Sequence, residues 1–101
     1  MILKEGVRAC NIKPELMLAL IIADRVYDKY GEELVVTSLN DGNHSRKSLH
    51  YSGQAADLRT RYFRSDEVAL VAEDIRSRLG SDYDVVVESD HIHLEYQPLK
   101  H

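Results

Sequence analysis

The stretch YDVVVESDHIHLEY, residues 83–96, decides the fold because it contains two strand patterns separated by a turn. The first pattern, at 83–87, is rich in β-branched valine, and the second, at 91–96, alternates polar and apolar residues. Ser89 and Asp90 lie between the patterns, and both residue types favour turns. The stretch therefore predicts a C-terminal β-hairpin.

The second strand of this hairpin carries different chemistry on its two faces, because successive side chains of a strand point to opposite sides. One face is apolar and predicts packing on a core: Ile92, Leu94 and Tyr96. The other face is polar and ionisable: His91, His93 and Glu95. Its two imidazoles are spaced about 7 Å apart along the strand. This face is interpreted either as part of a metal site or as a solvated face that is rich in histidine.

Two helices are predicted upstream of the hairpin from apolar residues at helical spacing. The first begins near Asn11 or Lys13, with Pro14 in its first turn, and Gly31 ends it. Its first half has additional apolar residues, so it is expected to be nearly all buried or to share that half with a partner. These residues are Met17, Leu18, Ile21 and Ile22. The second helix is predicted to run from an N-cap at Ser65 to Leu79, with Gly80 closing it.

Further strands are predicted at 34–39 and 53–60, with a polar loop at 40–48 between them. A chain of 101 residues is long enough for one domain and too short for two. The order is helix, strand, loop, strand, helix and hairpin. It predicts a single α+β domain over residues 1–101, with two principal helices and a mainly antiparallel sheet.

The composition excludes several classes of function. Thirteen basic and seventeen acidic residues give a net charge of −4, which disfavours a general nucleic-acid binder because phosphates attract positive charge. The single cysteine, Cys10, excludes an intrachain disulfide and a cysteine-rich zinc site, and is interpreted as a packing residue. No apolar run predicts a membrane span, and no signal-peptide pattern is present. The chain is therefore expected to be cytoplasmic as synthesised.

Asp57 ends the segment SLHYSGQAAD, residues 48–57, and follows small or apolar residues. An aspartate is expensive to bury without a compensating charge. A metal cation would supply that charge, with His50 and His93 completing the coordination. Two histidines, one aspartate and a water molecule are the ligand set of a catalytic zinc site. The alternative is an ordinary ion pair with an arginine: Arg46, Arg59 or Arg61.

The segment 48–57 resembles the motif Ser-x-His-x-x-Gly-x-Ala-x-Asp of the zinc D-alanyl-D-alanine carboxypeptidase family, whose fold is shared by the hedgehog signalling domain. The resemblance continues through Val36-Thr37, at 41–45 and at 88–93, so it covers about residues 34–96 in the same order. It implies a hedgehog- or D-Ala-D-Ala-peptidase-like fold and a zinc-dependent peptidase.

The resemblance also implies a role for each residue of the site. The implied zinc ligands are His50, Asp57 and His93. The family's catalytic base stands three positions before the third ligand, which here is Asp90. Hedgehog-type sequences place a glutamate further upstream, which is similar to Glu88. His91 is similar to a histidine that lines the site and stabilises the developing oxyanion.

The sequence departs from the family where many members carry a substrate-binding arginine. Thr37-Ser38 is followed by residues 39–41, which are Leu-Asn-Asp. Arg46 or Lys47 would take that role, unless both are solvated loop charges. The departure affects the choice among carboxypeptidase, dipeptidase and endopeptidase.

The function that the resemblance implies is hydrolysis of bacterial cell-wall stem peptides, as a D,D-carboxypeptidase or an L-alanyl-D-glutamate endopeptidase. The implied substrate is a peptidoglycan stem peptide or another peptide containing D-amino acids. Without a signal peptide, a phage-lysin-like enzyme that acts on the wall after release, or a cytosolic dipeptidase, is expected. One alternative is a non-catalytic, hedgehog-like zinc-binding module. Another is a metal-free domain with a histidine-rich surface.

Overall fold

The helices and strands follow the predicted order, with one short strand added at the start of the chain. The structure, a computed structural model, describes residues 1–8, 12–40 and 55–98. Within these ranges the elements are β1 (Ile2–Leu3), α1 (Pro14–Lys29), β2 (Val35–Asn40), β3 (Ala55–Arg59), α2 (Ser65–Leu79), β4 (Tyr83–Val87) and β5 (His91–Tyr96). The α+β class is confirmed, and both strands of the predicted hairpin have the predicted bounds.

The five strands form one mixed sheet in the order β1-β2-β3-β5-β4. β1 is parallel to β2, and the other three pairings are antiparallel. β3 and β5 are therefore neighbours in the interior of the sheet, and each has a hydrogen-bonded strand on both sides. This order brings the segment around residue 57 next to the segment around residue 93, although they are far apart in sequence.

The two helices and one face of the sheet enclose a single hydrophobic core. The sheet contributes alternate residues of its strands to this core, as the pleat requires. The largest fully buried side chains are Tyr27, Leu16, Leu20, Leu34, Leu58, Ile75, Ile92 and Leu94. The core packing predicted for β5 is confirmed for Ile92 and Leu94, whereas Tyr96 is half-buried and its ring contacts Tyr83. The histidine-bearing face of β5 consequently lies on the side of the sheet that points away from the core.

The ends of α1 are explained by local hydrogen bonding. Pro14 occupies the first helical position, where its missing N–H costs nothing. At the other end Tyr30 is the C-cap and Gly31 follows with a φ of +81°, which favours glycine. The N–H of Glu32 donates to Tyr27 O and that of Gly31 to Asp28 O, each at 3.0 Å, as in a Schellman motif.

The start of α2 differs from the prediction by one residue. Ser65 is already helical, and Arg64 is the N-cap. Arg64 is held there because its backbone N–H donates to the carboxylate of Glu67 at 3.1 Å. An acidic residue three positions into a helix commonly supplies this bond. The hydrogen bond from the Arg64 N–H to Glu67 therefore places the N-cap at Arg64, although serine is the more common N-cap residue.

The first half of α1 was predicted either to be nearly all buried or to share its surface with a partner, and it is only partly buried within the chain. Leu18 is 53% exposed and Ile21 is 42% exposed, so no other part of the described chain covers them. The prediction that this half is nearly all buried within the chain is wrong. Its alternative, a surface shared with a partner, stays a prediction.

No helix in the described part of the chain is long and apolar enough to span a bilayer.

Candidate metal centre

Two of the three predicted zinc ligands lie directly opposite each other in the sheet. Asp57 of β3 pairs with His93 of β5 in the antiparallel register. Side chains of paired residues point to the same face, so the carboxylate and the imidazole lie side by side. Because both strands are interior, their backbones are fixed by hydrogen bonds on either side. The third predicted ligand, His50, lies outside the described residues, as do Arg46, Lys47 and Cys10.

The carboxylate of Asp57 is the point where two imidazoles meet. Its Oδ1 lies 3.0 Å from Nδ1 of His93 and 3.5 Å from Nε2 of His91. The side chains of Asp57, His91 and His93 are 26%, 27% and 31% exposed, so a small ligand reaches them from solvent. Among the described residues, the side chains against this carboxylate are imidazoles, and Arg46 of the alternative ion pair lies outside the described residues. Arg61 donates instead to the hydroxyl of Tyr62.

The backbone around Asp57 is shaped by an irregularity in the neighbouring strand. The register between β2 and β3 shifts between Val36 and Ser38, which indicates a β-bulge at Thr37. The Thr37 hydroxyl donates to the backbone carbonyl of Asp57 at 3.3 Å. Bulges increase the local twist and re-aim side chains, and they occur often beside active sites. The bulge lies in the Val36-Thr37 segment that takes part in the resemblance described above.

Glu95, which shares the polar face of β5 with His91 and His93, is a further member of this cluster. Its Oε1 lies 3.0 Å from Nε2 of His93, on the opposite side of the ring from Asp57. Glu95 is only 6% exposed, which is unusual for a glutamate. The signal for it was present in the sequence, because residues two apart on a strand share a face.

The two candidate bases occupy the turn between β4 and β5. The carboxylate of Asp90 lies 2.7 Å from Nδ1 of His91, and the ring nitrogen donates because an ionised carboxylate only accepts. This hydrogen bond lowers the pKa of Asp90, whose side chain is 82% exposed. The backbone N–H of Glu88 donates to the carbonyl of His91 at 2.8 Å, one residue beyond the Val87–Ile92 pair of the hairpin. Asp90 therefore orients the His91 ring, and that ring lies between the carboxylates of Asp90 and Asp57.

The separation between Oδ1 of Asp57 and Nδ1 of His93 is that of a hydrogen bond and is also near the spacing of two ligands on one divalent ion. Zinc binds nitrogen and oxygen at about 2.0–2.2 Å, so two ligand atoms of a tetrahedral site lie about 3.3 Å apart. The observed 3.0 Å between Oδ1 of Asp57 and Nδ1 of His93 is close to this value. Within residues 1–8, 12–40 and 55–98, no three His, Cys, Asp or Glu side chains are grouped to hold a metal ion. A complete site thus requires a further ligand, which is the role expected of His50.

We expect the zinc affinity of the chain to depend steeply on pH because of His93. Burial lowers the pKa of His93, but hydrogen bonds to Glu95 and Asp57 outweigh burial and hold it above its ordinary value. Because the folded pKa is raised, the charged ring stabilises the metal-free fold fully below about pH 6.5. That contribution disappears as the pH rises through the folded pKa. Zinc binds only the neutral ring, so the proton competes with zinc up to a pH above the ordinary histidine value.

Calorimetric zinc titrations between about pH 5.5 and 8 test this expectation, together with an NMR titration of the His93 ring. Below the pKa of His93, affinity is expected to fall by up to about tenfold per pH unit, since one proton is displaced from this ring. A zinc affinity that stayed constant over this range would contradict the prediction.

Comparisons of the chain with models of protein families, with curated protein sequences and with solved structures gave no match.

Proposed function

We propose that the chain is a zinc metallopeptidase that hydrolyses peptide bonds of bacterial cell-wall stem peptides. The type is a D,D-carboxypeptidase or an L-alanyl-D-glutamate endopeptidase. The observation that supports the proposal best is the pair formed by Asp57 and His93, held side by side on a solvent-accessible sheet face. The resemblance of residues 34–96 to the zinc D-alanyl-D-alanine carboxypeptidase family supplies the reaction and the substrate class.

The residues that would hold the metal are His50, Asp57 and His93. When bound there, zinc supplies a Lewis acid and lowers the pKa of coordinated water to about 7. The polypeptide contributes a carboxylate and two neutral imidazoles, a set that zinc prefers in catalytic sites. The chain is proposed to need no serine or cysteine nucleophile.

The remaining residues are proposed to move a proton and bind the substrate. Asp90 takes a proton from the attacking water as the water oxygen bonds to the scissile carbonyl carbon. Asp90 then gives that proton to the departing amine as the C–N bond breaks. In its doubly protonated form His91, whose Nδ1 donates to Asp90 at 2.7 Å, donates a second hydrogen bond from Nε2 to the carbonyl oxygen as negative charge develops on it. Glu88 is the alternative base, and Arg46 is proposed to bind the substrate carboxylate.

The experiment that tests this function is an assay of the full chain on purified peptidoglycan and on a peptide ending in D-Ala-D-Ala. We expect hydrolysis with one equivalent of zinc, its loss with a chelator, and its recovery when zinc is restored. Mass spectrometry of the products identifies the bond that is cut. Hydrolysis that continued in the presence of chelator and in His50→Ala would rule the mechanism out.

One observation favours a second candidate, a non-catalytic zinc-binding module like the hedgehog signalling domain. The hydrogen bond from His91 lowers the pKa of Asp90, and a carboxylate with a lowered pKa is a weaker base. This candidate predicts stoichiometric zinc with no turnover of any cell-wall fragment. The same assay, combined with elemental analysis of the purified protein, separates the two functions.

A further inference from the structure

We propose that Glu95 is a positioning residue that holds His93 with Nδ1 directed at the metal. This inference rests on the proposed function, because it assumes that His93 is a zinc ligand. Glu95 is not itself placed to bind the ion, since the His93 ring lies between its carboxylate and Asp57. Its action is on the orientation and tautomer of the ring.

The His93 ring is held between two carboxylates. The two nitrogens of His93 each have a carboxylate partner at 3.0 Å, Nδ1 facing Asp57 and Nε2 facing Glu95. Rotating the ring about its attachment would break both contacts together. His93 is therefore clamped across two strands, by Asp57 on β3 and by Glu95 on its own strand.

Glu95 also determines which nitrogen of the His93 ring carries the proton. An ionised carboxylate accepts hydrogen bonds and donates none, so a nitrogen of His93 that bonds to Asp57 or Glu95 carries a proton. The neutral ring that ligates zinc carries one proton, and with Nδ1 on the ion beside Asp57 that proton is on Nε2, where Glu95 accepts it. Histidine ligands commonly donate their other N–H to a carboxylate, which fixes the tautomer and raises the basicity of the ligand.

The carboxylate of Glu95 is more buried than the ring that it contacts. The Glu95 side chain is 8% exposed, whereas the His93 side chain is 31% exposed, so the ring is held by a carboxylate that is more buried than the ring itself. A buried carboxylate costs free energy that a solvated one does not. In the register, Glu95 lies opposite Ala55, whose small side chain leaves room for the carboxylate on this face. The free-energy cost of burying Glu95 is therefore incurred at the position where its carboxylate holds His93.

The test compares Glu95→Gln, Glu95→Ala and the control Glu5→Gln, which alters an exposed glutamate of the N-terminal segment. Zinc affinity of the full chain is measured by competition with a chromogenic chelator at neutral pH. The protonated nitrogen of His93 is identified in the zinc-bound protein from a long-range proton–nitrogen correlation spectrum. Melting temperatures without metal report any loss of stability separately.

We expect the wild-type ring to carry its proton on Nε2, and zinc affinity to fall about 10-fold in Glu95→Gln and nearer 100-fold in Glu95→Ala. The glutamine retains volume and a neutral acceptor, so this variant gives a reading even if the alanine variant fails to fold. If the wild type binds zinc and both variants bind it within about twofold, Glu95 is only structural and the inference is overturned. A wild type that binds no zinc would overturn the proposed function itself.

Discussion

Replacing Asp57 by Asn is expected to lower zinc affinity by more than about 100-fold and to abolish peptide hydrolysis. The amide retains the shape of the side chain but removes the charge of Oδ1, which lies 3.0 Å from Nδ1 of His93 and would face the proposed ion. Loss of a partner that only orients a ligand already costs about 10–100-fold in affinity, so loss of a ligand costs more. Calorimetric zinc titration and the stem-peptide assay measure the two effects.

His93→Ala is expected to give the same loss of zinc and activity. It also removes a hydrogen-bond partner from the buried carboxylate of Glu95, so a lower melting temperature should accompany it. Asp28→Asn is the matched control, because Asp28 is an exposed aspartate of α1. This control should bind zinc and hydrolyse peptide like the wild type. If Asp57→Asn retained wild-type zinc affinity while folded, the metal centre would not be where we place it.

The second large effect is expected from Asp90→Asn, which should lower kcat by about 10²–10⁴-fold while KM changes little. An asparagine cannot accept the proton of the attacking water, whereas it keeps a side-chain oxygen that accepts from Nδ1 of His91. The variant therefore separates proton transfer from the orientation of His91, which the 2.7 Å hydrogen bond controls in the wild type. Steady-state kinetics on zinc-loaded protein measure kcat and KM separately.

Glu88→Gln is the comparison variant, because Glu88 is the alternative base in the same hairpin. We expect less than about a tenfold loss of kcat from it, below the contribution of a general base. The reverse pattern, with Glu88→Gln severe and Asp90→Asn mild, would transfer the base role to Glu88. Zinc content is determined for each variant, so that loss of the ion is not mistaken for loss of the base.

The elements with the clearest periodicity were the easiest to predict from the sequence. The alternation at 91–96 fixed both the strand and its two faces, and the structure confirms the buried Ile92 and Leu94. The two-residue strand β1 was not predicted, since a pattern of period two needs more than two residues to be visible. Its pairing depends on β2, which lies more than thirty residues away.

The candidate site was predictable in part, for similar reasons. Side-by-side placement of Asp57 and His93 was expected from the motif, and the structure brings the two residues together. The spacing of Glu95 placed it on the face of His93, but its burial was not predictable, because burial depends on the strands that flank β5. The exposure of Leu18 and Ile21 was likewise unreadable, because apolar residues at helical spacing do not show which neighbour covers them.

The interior position of β3 and β5 has a consequence for how folding and metal ligation are coupled. The register of the sheet places Asp57 opposite His93, and the hydrophobic core packs against that sheet. Zinc fingers differ, since their ligands converge only when the ion arrives and the apo peptide is unfolded. If zinc binds as proposed, the free energy of ligation adds to a fold that the sheet and its core stabilise. Stripping the metal should therefore leave the secondary structure intact and lower the melting temperature only by mass action.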